Sequence, residues 1–242
     1  MFSDFLAKAE IIDVRKFAFD LCDANLFEYA RNCLMRLCEN DNELTIEDVN
    51  AISRICKGKM DEYRKAWKSI YLTEQKERGK GRDDRSTPLL DYRKSIESNI
   101  SNFSKEIIDM IQKSLINRTT DTSIRGLLYR MIGDYWRYLA EIQRGYERRE
   151  STSKANAAYQ EAEDLIVACC GPAAAIRLSL MLNMAIFRFE IYSEPDEALK
   201  IAQKAYNEGI ASVDSLHDEQ YMDSILLLQM LHRTIVSWQQ NK

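Results

Sequence analysis

Apolar positions recur every three or four residues through most of the chain, the period of helices that bury one face. Phe2 to Leu21 and Leu26 to Leu37 are the first two such stretches. Leu44-Thr45-Ile46-Glu47-Asp48 opens a third, with Thr45 and Asp48 spaced as a capping box in which aspartate replaces the usual glutamate. That helix is expected to run to about Gln75. Glu74 to Arg85 is charge-dense and contains glycine, and it reads as a linker. Thr87-Pro88 restarts a helix that reaches about Ile116, and Asn117 to Asp121 is a polar break. Ser123 to about Arg144, Ser151 to Cys169, Ala173 to Tyr192, Pro195 to Ala211 and His217 to Trp238 bring the predicted helices to nine. Their short connections favour antiparallel neighbours in one continuous array.

Composition supports this all-α reading. The chain has 242 residues but only eight glycines and three prolines, too few to punctuate an all-β fold. Pro88, Pro172 and Pro195 each precede a long helical pattern. Gly58, Gly126, Gly133 and Gly209 fall inside helices, where each costs about 1 kcal/mol relative to alanine. Close helix–helix packing is the expected reason. Alanine-rich patterns at Ala155 to Ala162 and Ala198 to Tyr206 hint at tetratricopeptide-like packing, but no period of roughly 34 residues holds along the chain.

Six cysteines are present, none in a Cys-x-x-Cys pair, and Cys169 and Cys170 are neighbours that would bond each other only with strain. They read as free thiols in a reducing compartment. Met1 to Ile12 lacks the pattern of a signal peptide, and the most apolar run, Ile225 to Leu231, is too short to span a membrane. A cytoplasmic protein is expected, with the nucleus also open to it.

Several chemistries are missing. His217 and His232 have no metal-ligand spacing, and neither His-Glu-x-x-His nor Glu-x-x-His occurs. Asp83-Asp84 lacks the second half of an aspartate-rich magnesium motif. There is no phosphate-binding glycine loop and no Gly-x-Ser-x-Gly elbow. The expectation is therefore no catalytic site, no metal and no cofactor.

Charge is more informative. Lys and Arg number 34 against 38 Asp and Glu, a formal charge of -4. Against that acidic balance, Lys57 with Arg64 and Arg130 with Arg137 form two basic pairs, each seven positions apart. Seven residues are almost two helical turns, about 10.5 Å, so each pair points the same way. Most such pairs are solvated surface. Here Trp67 follows Arg64, and Tyr135, Trp136 and Tyr138 flank Arg137, which argues for cations partly inside a cleft. Like charges there need acids or a bound anion as compensation, and Asp61, Asp134, Glu141 and Glu190 are the candidate acids. The basic groups are too local, on too acidic a chain, for nucleic-acid binding.

The run Gly133-Asp134-Tyr135-Trp136-Arg137-Tyr138-Leu139-Ala140-Glu141 closely resembles the central helix of the 14-3-3 phosphopeptide-binding proteins. Three other segments agree in order and spacing: Lys57 to Gln75, Arg177 to Asn183 with Phe187 and Glu190, and Tyr221 to Trp238. The resemblance implies one domain over 1–242, a cup-shaped protomer with an amphipathic groove. Helices one to four, about 2–116, would serve dimerisation and the groove floor, and helices five to nine, about 123–238, the groove wall. Lys57, Arg64, Arg137 and Tyr138 match the positions that hold a ligand phosphate, with Arg130 as a supporting cation. Asn183 matches an asparagine that bonds the ligand backbone, and Glu190 an acid that orders the groove. Leu182, Ile186, Leu226 and Trp238 match the apolar wall. The implied function is a non-catalytic adaptor for phosphoserine and phosphothreonine proteins, without membrane insertion.

The match has departures. Lys68 stands where a second arginine is usual, Ile132 replaces a groove lysine, and Thr234 replaces a backbone-binding asparagine. Met230 replaces a leucine, and Ser237 an apolar residue beside Trp238. The phosphate cradle is thus retained while the peptide-contacting surface, including Met230 and Thr234, is altered. The implied homodimer would use an apolar contact at Ala66, Ile70 and Tyr92, with Asn25, Ser95 and Asn99 near positions where the family places charges. A tetratricopeptide-like scaffold for unmodified peptides is the alternative reading.

Overall fold

The computed structural model describes residues 6, 8–39 and 42–240, the side chains of 218 and 219 excepted. Nine α-helices occur among the described residues, with no strand. Positions 2–5 and 7 of the expected first helix lie outside them. The chain falls into two compact units, Met1–Thr119 and Thr120–Lys242.

The first unit holds α1 (Ile11–Asp23), α2 (Phe27–Cys38), α3 (Ile46–Gly79) and α4 (Asp83–Met110). A π-helical turn, Ile111–Leu115, and a 3-10 turn, Ile116–Arg118, extend α4. The capping box forms as expected: Thr45 Oγ1 accepts from Asp48 N at 3.3 Å, and Asp48 Oδ2 accepts from Thr45 N at 3.1 Å. Val14, Ala30, Leu37, Ile52, Ile55, Met60, Ile100 and Ile107 are buried in this unit. Arg118 closes it by donating to the carbonyls of Leu37 and Cys38, each at 3.1 Å, at the end of α2 where carbonyls lack helical partners.

The linker expected over Glu74 to Arg85 is not there. Only Lys80 to Arg82 separates α3 from α4, with Gly81 turning the chain at φ +69°. The charges that suggested a solvated linker are paired instead. Glu74 is buried and accepts from Arg93 Nε at 2.5 Å, while Glu77 lies 3.2 Å from Arg82 and 3.5 Å from Lys80. Pro88 lies inside α4 rather than at its start. In the second turn its missing N–H costs one bond to a carbonyl four residues earlier, and Asp83 and Asp84 favour the helix start electrostatically.

The second unit holds α5 (Thr122–Ile142), α6 (Gly145–Cys169), α7 (Ala175–Phe187), α8 (Pro195–Ser212) and α9 (Asp218–Gln240). A π-helical turn, Arg188–Tyr192, prolongs α7, and the chain leaves it through Ser193 at φ +57°. The α6 helix begins six residues before the expected Ser151, because Gly145 to Glu150 is helical but almost wholly polar and shows no apolar period. Two apolar clusters lie within this unit. Ala140, Ala155, Tyr159, Ile166, Leu180 and Phe187 join α5, α6 and α7. Leu178, Leu182, Ala202, Leu228, Leu231 and Ile235 join α7, α8 and α9.

The helical glycines are packing positions. A Cβ at Gly133 would lie 2.7 Å from the Tyr159 ring, and one at Gly126 would collide with Ile166. Gly58 meets Phe27, and Gly209 meets Leu178 and Leu228, in the same way. Among the described residues no helix is long and apolar enough to cross a membrane.

Candidate functional site

The densest polar chemistry lies inside the second unit, on α5. Asp134 and Arg137 are one turn apart, and both are buried. Arg137 Nη2 lies 3.5 Å from Asp134 Oδ1, and Nη1 lies 3.7 Å from Glu190 Oε2 on the π-helical turn. Tyr159, on α6, reaches both: Arg137 Nε donates to its hydroxyl at 3.1 Å, and the hydroxyl donates to Asp134 Oδ1 at 2.6 Å. Asn183, on α7, completes the set, its Nδ2 donating to both Asp134 oxygens at 3.0 Å. Three helices thus hold one guanidinium.

The electrostatics follow from that placement. Burial works against the charge on Arg137, but the attraction of Tyr159, Tyr138 and Asp134 outweighs it and raises its pKa well above the ordinary arginine value. Burial first, and then the adjacent Asp134, push the Tyr159 phenol well above the usual range, so it stays a neutral hydroxyl able to donate. The Arg137 guanidinium also sits 4.6 Å from the centre of the Tyr138 ring, a cation–π contact on a buried aromatic. Asp134 was among the acids expected to be internal, and it is. Glu190 is largely exposed, yet it still faces Arg137.

The other expected residues of the unit stand on α5, α7 and α9. Arg130 is half-buried, and its Nη1 donates to Ser179 Oγ at 3.0 Å. Leu182 is buried in the α7–α9 core, and Ile186 and Thr234 are half-buried. Leu226 and Met230 are 55% and 49% exposed, an apolar surface on α9. Trp238 stacks on Phe189 with centroids 4.5 Å apart. Tyr159 and Ser179 were not among the expected site residues. The alanine spacing around Tyr159 marked only its packing.

The remaining basic pair belongs to the first unit. Lys57 is exposed on α3, and Arg64 is half-buried with Nη1 3.9 Å from Asp61 Oδ1. Trp67 donates from Nε1 to Glu97 Oε1 at 3.0 Å and stacks on Tyr71, while Lys68 is exposed. Tyr92, expected at a dimer contact, is 68% exposed; Ala66 is exposed and Ile70 half-buried.

Among the described residues no cluster of three or more His, Cys, Asp or Glu is arranged to hold a metal. The fold and this site describe an all-helical protein whose chief polar device is a buried, braced arginine. The 14-3-3 protein family model matches residues 21–239, across both units. A 14-3-3-like protein of Zea mays, GF14-12, is 36% identical over 199 residues, covering 82% of this chain and 76% of its own. GF14 phi of Arabidopsis thaliana is 36% identical over 81% of this chain and 74% of its own, and 14-3-3-like protein F of Nicotiana tabacum is 36% identical over 83% and 78%. The chain belongs to the 14-3-3 family. Membership supports an adaptor or regulatory role exerted through partner proteins.

Proposed function

We propose that this protein is a non-catalytic cytoplasmic adaptor that binds phosphoserine or phosphothreonine segments of partner proteins, acting as one 14-3-3 domain and as a homodimer. Lys57, Arg64, Arg137 and Tyr138 hold the phosphate and Arg130 supports them. Asn183, Leu182, Ile186, Glu190, Leu226, Met230, Thr234 and Trp238 meet the peptide. The observation that carries this reading is Arg137, a buried cation braced by Tyr159 and by Asp134, which is itself held by Asn183. A phosphate monoester brings about two negative charges and three acceptor oxygens to such a group. Glu190, exposed and only 3.7 Å away, shares with Asp134 in balancing the cation.

Charge-assisted bonds are worth about 1.5–3 kcal/mol each, so removing one phosphate cation should weaken binding about tenfold to a hundredfold. Titration of a phosphoserine peptide and its unphosphorylated twin tests the reading. The phosphopeptide should bind at least about tenfold tighter, and Arg64→Glu or Arg137→Glu should abolish the preference. Equal affinity for the two peptides overturns it.

A further inference from the structure

Cys169 and Cys170, at the end of α6, take no part in phosphate capture. Cys169 is exposed and Cys170 half-buried, and their Sγ atoms lie 3.5 Å apart. Besides Cys170, the Cys169 thiol meets the Leu165 carbonyl at 3.2 Å and the Ile166 carbonyl at 3.7 Å, both weak sulfur contacts. Arg177 Nη1 donates to the Cys170 carbonyl at 3.3 Å and steadies the backbone that presents the pair. The other thiols are sequestered. Cys22, Cys33 and Cys56 are buried, and burial pushes the half-buried Cys38 thiol up to about 12.

A direct disulfide suits this pair poorly. Neighbouring Cα atoms are about 3.8 Å apart across a trans peptide, whereas disulfides span roughly 4.4–6.8 Å. One atom inserted between the sulfurs enlarges the small ring that a direct disulfide would strain and leaves them apart, as they stand here at 3.5 Å. A linear two-coordinate metal with bonds of about 2.3 Å would spread the sulfurs to roughly 4.6 Å. A centre that takes two sulfurs at a bent angle fits the 3.5 Å seen here. Because no metal-binding cluster of three or more His, Cys, Asp or Glu occurs among the described residues, the ligand must bring the rest of its own coordination. A trivalent arsenic carrying one organic group meets each condition: it is soft, pyramidal and complete with two thiolates.

We propose that Cys169 and Cys170 form a bidentate dithiol site for monosubstituted trivalent arsenicals, R–As(OH)2. Two As–S bonds form and two As–O bonds break. Each departing hydroxyl takes one thiol proton and leaves as water. Arsenic stays trivalent and sulfur is not oxidised, so no oxidant or reductant is needed.

Phenylarsonous acid added to the full chain tests the site by intact mass. One phenylarsenic per chain should attach, with two waters lost. It should persist in excess 2-mercaptoethanol and come off with 2,3-dimercaptopropanol, because the second As–S bond is intramolecular. Cys169→Ser, at an exposed position that leaves the fold intact by circular dichroism, should lower retention against the monothiol by about tenfold or more, and Cys170→Ser likewise. Absence of an adduct, an adduct stripped from the unaltered chain by the monothiol, or one retained in both serine variants would overturn the proposal.

Discussion

The Tyr159 hydroxyl donates to Asp134 at 2.6 Å and accepts from Arg137 at 3.1 Å, so one oxygen positions both charges of the buried pair. Tyr159→Phe keeps the ring that packs on Gly133 and removes only that oxygen. Asp134 and Arg137 then lose a shared partner in a buried site, at a cost of about 1–2 kcal/mol in urea denaturation. With the guanidinium less firmly aimed, phosphopeptide affinity should fall about threefold to tenfold while the unphosphorylated peptide is unaffected. Unchanged affinity would show that Asp134 and Tyr138 suffice to aim Arg137. At this scale the sequence was readable in part. Arg137 and Asp134 share one helix, and their spacing places them together. Tyr159 is 22 positions from Arg137 and Asn183 is 49 from Asp134, pairings created only when α5, α6 and α7 pack. Helical periodicity reports which face a residue takes, not which residue of another helix it meets.

Caps and pairs decide where the helices begin and end. Asp121 caps α5: its Oδ1 accepts from Ser123 N at 2.7 Å, Ser123 Oγ at 2.6 Å and Ile124 N at 3.1 Å. The Ser123 hydroxyl, followed by the Ile124 amide, holds the Asp121 carboxyl below its ordinary pKa. A group with a lowered folded value stabilises the fold fully above the ordinary carboxylate range and loses that contribution as pH falls through the lowered value. Asp121→Ala should therefore cost about 1 kcal/mol at neutral pH, and the gap between variant and parent should narrow as the solution is acidified. Asp121→Asn, still an acceptor, should recover most of the loss. Urea midpoints across pH decide it, and a gap that stays constant into strong acid removes the carboxylate from the account. Helix existence was legible because the apolar period is sustained. Boundaries were not, wherever polar residues were helical: Gly145 to Glu150 in α6, and Glu74 to Arg78 in α3, where ion pairs stand in for apolar packing.

At the scale of the molecule, the first unit leaves apolar side chains in water. Ile12 is 65% exposed, Tyr29 57%, Met35 49% and Tyr92 68%. Exposed apolar side chains mark an interface where they join into a patch of more than a few hundred Å². Members of the family form dimers, and a second copy of the chain is the proposed cover, meeting Ala66, Ile70 and Tyr92. The character of that contact is read from the positions near which the family places charges. Asn25, Ser95 and Asn99 are uncharged, and Arg93 is already committed within its own chain to Glu74 and Glu97 at 2.5 Å. An interface held by apolar burial rather than by ion pairs should be insensitive to screening, which shortens the reach of exposed charges from about 10 Å at 0.1 M salt to about 3 Å at 1 M. Light scattering should give a molar mass near twice 28.2 kDa at micromolar concentration, and the dissociation constant should change less than about threefold between those salt concentrations. Tyr92→Glu, which places a charge in the apolar patch, should shift the protein to monomer without loss of helix by circular dichroism. A monomer across the micromolar range refutes the dimer, and a dimer that salt dissociates refutes the apolar contact.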